Sequence, residues 1–220
     1  NLTKVQFIDT LTGWTVGLSN FFKTSNGGET WVNQSIVNSI YSFYFIDSQN
    51  GWAVGTWGSI LKTTNGGFSW ISQSINSSNS LQSVNFIDTL TGWVVDDFGK
   101  ILKTDGGLNW SNQTNFEYGN FRSVYFIDPL RGWAVGDYGI ILETTNGGNN
   151  WKEQSFMGER KLKDVFFIDP LRGWIVGENG TILTTNYGNQ IEPGTTTTAL
   201  SGTLFEKATA NCNPSNIPIT

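Results

Sequence analysis

The 220-residue chain contains no histidine, one methionine and a single cysteine, Cys212. Without histidine it cannot build a Ser-His-Asp triad, a Cys-His pair or a zinc site with imidazole ligands. One cysteine alone excludes an internal disulfide. Carboxylate-based glycoside hydrolysis is a kind of catalysis that this composition leaves open.

Charge and long apolar runs are also scarce. Charged residues make up 14% of the chain and the net charge is −5, which argues against a nucleic-acid partner. No run of eighteen apolar residues occurs, so we predict no membrane span. We expect neither a metal nor a cofactor. Low charge, abundant Asn, Ser and Thr and the missing initial methionine predict an exported protein, located outside the cell, on its surface or in the periplasm.

What the chain does contain is one stretch repeated five times at steps of 38 to 41 residues. Each copy has an aspartate in an "FID" segment, and the series is Asp9, Asp47, Asp88, Asp128 and Asp169. Each copy also has a tryptophan in a "GW" pair, and these are Trp14, Trp52, Trp93, Trp133 and Trp174. Four copies end on a second tryptophan, and these are Trp31, Trp70, Trp110 and Trp151. A stretch that recurs in this way is a unit of construction rather than a single active site.

Each copy holds four short β-like runs, which in the third copy are "LQSVNFI", "GWVV", "KILKT" and "NWSNQ". Turn residues separate the runs, and no helical periodicity appears. Four strands in about 40 residues are typical of a propeller blade. The sequence therefore predicts an all-β fold, a β-propeller of four-stranded antiparallel blades with five visible repeats, forming either an incomplete or a five-bladed ring.

The predicted propeller covers residues 1–191, with repeats at about 1–38, 39–78, 79–119, 120–160 and 161–191. The fifth repeat has no fourth strand within its own bounds, and an open blade exposes an unpaired edge. Residues 192–220 form a tail, in which the β-branched segment 195–205 is a candidate strand to complete the fifth blade. Further blades in a longer chain are the alternative.

The regular spacing of the five copies also suggests structural roles for the repeated polar residues. Each aspartate of the first series precedes a turn, where its carboxylate can accept a backbone N–H. The "TNGG" segments have the form of tight turns rather than of phosphate-binding loops, because no strand-to-helix context follows them. We expect the "GW" tryptophans to be buried between blades.

The segments "TNGGxxW" and "GWAVGxxGxILKT" resemble the Asp-box, or BNR, repeat, and are most similar to the β-propellers of the photosystem II stability and assembly factor type. Similar repeats occur in sialidases, xyloglucan-active hydrolases, sortilin-type receptors and secreted bacterial proteins. The resemblance implies a propeller fold and is compatible with a protein client. Three features depart from it: Asn26, Asn65 and Asn146 replace the turn aspartate that Asp105 keeps, Asp96 replaces a glycine, and Ile191 replaces the last tryptophan.

We expect the binding face to include the turn between the second and third strands of each blade. In this turn an acidic residue precedes an aromatic one in two blades, and the candidate residues are Trp57, Phe98, Tyr138, Asp97, Asp137 and Glu178. The loops between blades share that face and add a basic sector with Arg122, Arg160 and Lys163. A solvated turn without a ligand is the alternative interpretation.

We therefore predict a non-catalytic binding or scaffold propeller whose partner is a protein or a glycan. One alternative is an Asp-box hydrolase in which Asp97 and Asp137 act as the carboxylate pair. Another is a structural spacer in a cell-surface protein. The chain has four arginines, and two of them lie on the opposite face, so a sialidase-like site with three converging arginines is not expected.

Overall fold

A computed structural model describes residues 2–17, 20–34, 36, 39–73, 75–114, 119–154, 160–185 and 205–207. The described chain forms five four-stranded antiparallel sheets, arranged as the blades of a β-propeller. This confirms the predicted all-β class. None of the helical turns in the described part has the length and hydrophobicity needed to cross a membrane.

The strands follow one another through the blades in chain order. Blade 1 contains β1 (Leu2–Phe7), β2 (Gly13–Gly17), β3 (Asn20–Thr24) and β4 (Val32–Gln34). Blade 2 contains β5 (Ile40–Phe45), β6 (Gly51–Gly55), β7 (Ile60–Thr63) and β8 (Ile71–Ser72). Blade 3 contains β9 (Leu81–Phe86), β10 (Gly92–Asp96), β11 (Ile101–Thr104) and β12 (Ser111–Asn112). Blade 4 contains β13 (Phe121–Phe126), β14 (Gly132–Gly136), β15 (Ile141–Thr144) and β16 (Lys152–Glu153). Blade 5 contains β17 (Leu162–Asp169), β18 (Arg172–Gly177), β19 (Thr181–Thr185) and β20 (Phe205–Lys207).

The first strand of each blade is innermost, because neighbouring blades meet chiefly through β1, β5, β9, β13 and β17. The fourth strands of blades 1 to 4 have only two or three residues, shorter than the sequence suggests. Antiparallel pairing puts the turns after the second strand and the links between blades at one end of the sheets. We call this end the upper face. The remaining turns lie at the opposite end, the lower face.

Each pair of neighbouring blades shares its own apolar core. One blade contributes a tryptophan and two aliphatic or aromatic residues, which we call its trailing face, and the next contributes five residues, which we call its leading face. Between blades 1 and 2, the trailing residues are Trp14, Val16 and Phe21, and the leading residues are Ile40, Phe43, Phe45, Ala53 and Leu61. Corresponding residues form the other three cores. The described residues therefore form four separate cores rather than one.

A stacked ring pair lies at the centre of each core. The indole of Trp14 lies on the ring of Phe45 with 3.7 Å between centroids and 5° between planes. The other three junctions repeat this stack at 3.4–3.6 Å. The glycine before each tryptophan leaves room for the phenylalanine of its own blade: a Cβ at Gly51 would lie 2.6 Å from the Phe45 ring. Close approach is thus the reason for glycine here.

The prediction that all five "GW" tryptophans are buried is wrong for the last one. Trp14, Trp52, Trp93 and Trp133 are fully buried, whereas Trp174 is 39% exposed. Within the described residues, no blade covers the trailing face of blade 5. The second tryptophan series lies at the edge of the cores, where Trp70 meets Phe45 edge-on at 6.0 Å.

The fourth strand of blade 5 comes from the tail. Strand β20 pairs antiparallel with β19, with Phe205 opposite Thr185 and Lys207 opposite Leu183. Of the predicted segment 195–205, only Phe205 belongs to this strand. Residues 195–204 and Ile191 lie outside the described residues, so the predictions for them stay predictions.

The turn residues act as local hydrogen-bond acceptors. Asp88 Oδ1 accepts the backbone N–H groups of Leu90 and Thr91, both at 2.7 Å, and the other four aspartates of the series bind equivalent groups. In the "TNGG" turn of blade 2, Asn65 Oδ1 accepts Thr63 Oγ1–H and the Ser69 N–H. Gly66 and Gly67 then adopt φ values of 70° and 89°, which favour glycine. Both motifs hold the lower face together.

Candidate functional site

Three aromatic side chains stand on the upper face, in equivalent turns of blades 2, 3 and 4. Trp57, Phe98 and Tyr138 are 67–74% exposed. Each turn is anchored to the preceding blade-to-blade link by a backbone bond, such as Asp97 N–H to Ser80 O at 3.1 Å and Asp137 N–H to Asn120 O at 2.9 Å. The aromatic rings are thus exposed to solvent on a backbone that is held in place.

Two of these aromatic residues adopt backbone angles that residues other than glycine rarely use. Trp57 has φ 57° and ψ 40°, and Tyr138 has φ 61° and ψ 17°, both in the left-handed region. That region costs about 1–2 kcal/mol for such a residue. Asn179 holds the same conformation in blade 5, where asparagine tolerates it better. The side chains of Trp57 and Tyr138 are 73% and 74% exposed, so packing offsets little of this cost.

Blade 3 builds the same turn in a different way, through Asp96. This buried carboxylate accepts the N–H groups of Phe98 and Lys100 at 2.9 and 2.8 Å through Oδ1. Its Oδ2 accepts an N–H from Asn79 Nδ2 at 2.7 Å. Asp96 thus accepts the Lys100 N–H, whereas the equivalent N–H groups of Ser59 and Ile140 donate to backbone carbonyls. Phe98 does not adopt the left-handed conformation. The sequence showed that Asp96 replaces a glycine of the other copies, but it did not show that the Asp96 carboxylate holds the turn.

Asp137, a candidate binding residue in the Tyr138 turn, does not present a free carboxylate on the upper face. Asp137 is buried and forms a two-point ion pair with Arg122, with Nε to Oδ1 at 3.0 Å and Nη2 to Oδ2 at 2.6 Å. Asn120 Nδ2 donates a further bond at 3.1 Å. Burial acts to raise the pKa of Asp137, but the bonds from Arg122 and Asn120 outweigh it and lower the pKa. Arg122 lies on β13 and not in the loop between blades, so the pair joins the first strand of blade 4 to its turn and serves the scaffold.

The other candidate charges differ in how accessible they are. Asp97 is half-buried and its Oδ1 accepts the Ser80 N–H at 3.0 Å. Glu178 is exposed and pairs with Lys163 at 2.9 Å. Arg160 is half-buried and donates to Thr181 Oγ1 at 3.1 Å. Of these three candidates, only Glu178 in blade 5 is exposed.

A simple regularity in the sequence would have found both ion pairs. The first residue of each of these turns lies fifteen positions after a residue of the first strand, as Asp137 does after Arg122 and Glu178 after Lys163. Where that earlier residue is a cation, as in Arg122 and Lys163, the two side chains pair. In blades 2 and 3 the earlier residue is neutral, and the turn holds Thr56 or the backbone-bound Asp97. The signal lay between two repeat positions rather than within one motif.

The predicted carboxylate pair of Asp97 and Asp137 does not fit the structure. Asp137 is buried and neutralised by Arg122, so it is not a free acid or nucleophile, and Asp97 Oδ1 accepts the Ser80 N–H. In the described part of the chain, no cluster of three or more acidic or cysteine side chains could hold a metal ion. What the upper face offers is three exposed rings on an anchored backbone, which suits binding by contact.

Comparison with known proteins shows which repeats these are. Residues 32–117 match the model of the family described as photosynthesis system II assembly factor YCF48. No curated protein matched the sequence. Among solved structures, YCF48 from Cyanidioschyzon merolae is 18% identical with a TM-score of 0.66, over 83% of this chain and 68% of that one. A YCF48 bound to a D1 peptide is also 18% identical with a TM-score of 0.50, over 83% of this chain and 92% of that one.

A glycoside hydrolase shares the architecture as well. The structure of AFV00434, an ancestral GH74 enzyme, has a TM-score of 0.73 at 16% identity. The match covers 94% of this chain but only 31% of the enzyme. At such identities the structural likeness shows the fold alone. The chain folds as a β-propeller, and its residues 32–117 are similar to the YCF48 family.

Proposed function

We propose that this protein is a non-catalytic binding propeller that presents its upper face to a protein partner. The observation that carries the proposal is the set of exposed rings at equivalent turns, Trp57, Phe98 and Tyr138. Exposed Trp and Tyr provide large, rigid contact area and are enriched at binding hot spots. In Trp57 and Tyr138 a strained backbone holds the ring in solvent, which is typical of functional rather than structural positions.

Two further observations support a peptide or protein ligand. The residues similar to the YCF48 family include the Trp57 and Phe98 turns, and a YCF48 of the same fold is bound to a D1 peptide. The Asp137–Arg122 and Glu178–Lys163 pairs balance their own charges, so the three exposed rings dominate the face. We infer a partner segment whose apolar side chains contact these rings.

The test uses an array of short peptides in acidic, basic and apolar classes, followed by titration of any peptide that binds. The variant carries Trp57→Ala, Phe98→Ala and Tyr138→Ala together. Because these side chains contact solvent, the melting temperature should stay nearly unchanged, while binding weakens by about 2 kcal/mol or more.

The matched control replaces three exposed apolar residues of the lower face, Phe68, Leu108 and Leu130, by alanine. It should bind as the wild type does. If the upper-face variant binds equally well, or if both variants lose binding together, the upper face is not the site. Fluorogenic glycosides and a glycan array run in parallel: turnover, or binding to glycans alone, would contradict a protein-binding role.

We also propose that the protein acts outside the cytoplasm. The support is compositional, since charged residues are few and Asn, Ser and Thr are abundant. Fractionation of the source cells with an antibody against the chain would test it, and recovery in the cytoplasmic fraction alone would contradict it.

A further inference from the structure

The first strand of each blade carries one extra residue near the upper face. In blades 4 and 5 the extra residues are Arg122 and Lys163, each at a shift in the register between the first and second strands. A bulge of this kind re-aims the side chain of the extra residue. Both side chains are directed at the turn of their own blade, where they pair with Asp137 and Glu178. The bulge residue is therefore the one that the first strand turns toward the upper face.

Blades 2 and 3 have the same bulge, and there the bulge residues are Tyr41 and Gln82. Tyr41 is 37% exposed and Gln82 is half-buried. Among the described residues, neither side chain has a hydrogen-bond or ion-pair partner, whereas the cations of blades 4 and 5 are paired. The fold thus aims two unpaired polar side chains at the turns that carry Trp57 and Phe98.

The rings of these two blades stand on one hydrogen-bonded frame. Asn79 O, in the link between the blades, accepts the Gly58 N–H of the Trp57 turn at 2.8 Å. Asn79 Nδ2 donates to the buried Asp96 carboxylate at 2.7 Å, and that carboxylate also accepts the Phe98 N–H at 2.9 Å. Asn79 therefore connects the two turns, and their rings are placed relative to one another before any partner binds.

Tyr138 does not share this frame. Its turn is bound to the first strand of its own blade through Asp137 and Arg122, and to the preceding link at Asn120. Over the described part of the chain, no single residue bridges it to the Phe98 turn. The upper face is therefore divided into a coupled pair of rings with unpaired polar groups, and a separate turn whose charged side chains pair with each other.

We propose that the partner segment binds across blades 2 and 3, with Trp57 and Phe98 as its apolar contacts and Tyr41 and Gln82 as its hydrogen-bonding contacts. This inference deepens the proposed function and rests on it. The segment that fits is an extended peptide with apolar side chains. The Gln82 amide offers both a donor and an acceptor to a peptide unit, and the Tyr41 hydroxyl donates or accepts.

The charges near this patch favour no strongly charged segment. Asp96 is buried, and its oxygens accept three N–H groups. Asp97 and Lys100 follow in the same turn with opposite signs. An apolar peptide with a neutral backbone therefore fits the patch better than an acidic or a basic one.

The first test shows which blades bind the segment. Peptides of the apolar class are screened with the wild type, and those that bind are titrated with single variants. Trp57→Ala and Phe98→Ala should each weaken binding about tenfold, and Tyr138→Ala should weaken it less than either. If Tyr138→Ala causes the largest loss, this inference fails and the proposed upper-face function stands. If none of the three variants loses affinity, both fail.

The second test concerns the polar contacts. Tyr41→Phe and Gln82→Met each remove hydrogen-bonding groups at nearly constant size, so each should weaken binding about twofold to tenfold with the melting temperature unchanged. Thr3→Val is the matched control. Thr3 is the bulge residue of blade 1, its side chain bonds within the blade at Val16 O, and the variant should bind as the wild type does.

N-methylated copies of a bound peptide separate direct contact from an indirect effect. When the amide that Gln82 contacts is methylated, Gln82→Met should cause no further loss. Wild-type affinity in both Tyr41→Phe and Gln82→Met overturns the inference, and so does an equal loss in Thr3→Val. An array in which no apolar peptide binds, or in which only glycans bind, overturns it as well.

Discussion

Trp93 and Trp174 hold the same repeat position in blades 3 and 5, so they allow one blade-to-blade stack to be measured within one protein. Trp93 is fully buried, with its ring 3.4 Å from Phe126 and its Nε1–H directed at Gly147 O at 3.3 Å. Lys103 Nζ lies 5.6 Å from the indole centroid. Trp174 is 39% exposed and makes no ring stack in the described part of the chain.

The expected costs differ because only one of the two side chains fills a core. A buried tryptophan removes about 150–250 Å² from water, worth about 4–6 kcal/mol at about 25 cal/mol per Å². Measured truncations of large buried aromatics fall at about 3–5 kcal/mol, and we expect that range for Trp93→Ala. Trp174→Ala leaves no cavity between two blades, so we expect about 1–2 kcal/mol.

Urea unfolding followed by far-UV circular dichroism gives both values. A difference of about 2 kcal/mol between the two variants supports four separate cores that end at blade 5. Equal losses for both variants, or a Trp93→Ala protein that melts within one or two degrees of wild type, would refute the reasoning.

Three further outcomes are expected. Arg122→Leu leaves Asp137 buried without its cation, so the free energy of unfolding should fall by about 3 kcal/mol, measured in urea; a loss within error would contradict the structural role of the pair. Asp88→Ala should cost about 1 kcal/mol by the same measurement. Burial raises the pKa of Asp88 and backbone hydrogen bonds lower it, and the net effect is a pKa below 3.8. The wild type should therefore lose stability as the pH falls below 3.8, and Asp88→Ala should lose less stability over the same range. Trp57→Asn relieves the left-handed strain and should raise stability by about 0.5–1 kcal/mol while weakening partner binding; lower stability would show that the indole packs usefully.

The sequence predicted the architecture because the repeat carries it. The spacing of Asp and "GW" positions predicts five blades, and the glycine before each tryptophan follows from ring packing within the blade. The repeat could not show what lies beyond its last copy. Trp174 reads like the four buried tryptophans, yet its exposure depends on a neighbouring blade and not on its own motif.

The candidate site was predictable in position but not in charge. Turn geometry puts Trp57, Phe98 and Tyr138 on one face whatever their identity. Whether a carboxylate in those turns is free depends on a side chain from another strand, as Arg122 does for Asp137. Such pairing depends on two repeat positions together. Considering each position by itself therefore led to a wrong role for Asp137.

Four cores of equal construction, each shared by only two blades, also determine how the molecule opens. Stability in such an array is close to a sum of nearest-neighbour terms, so the chain can unfold in steps from its ends. Within the described residues, blades 1 and 5 each share a core with one neighbour, so their amide hydrogens should exchange with solvent sooner than those of blade 3. Partial opening would then begin at the ends and release the Trp57, Phe98 and Tyr138 turns last, which keeps the central array intact while the ends fluctuate.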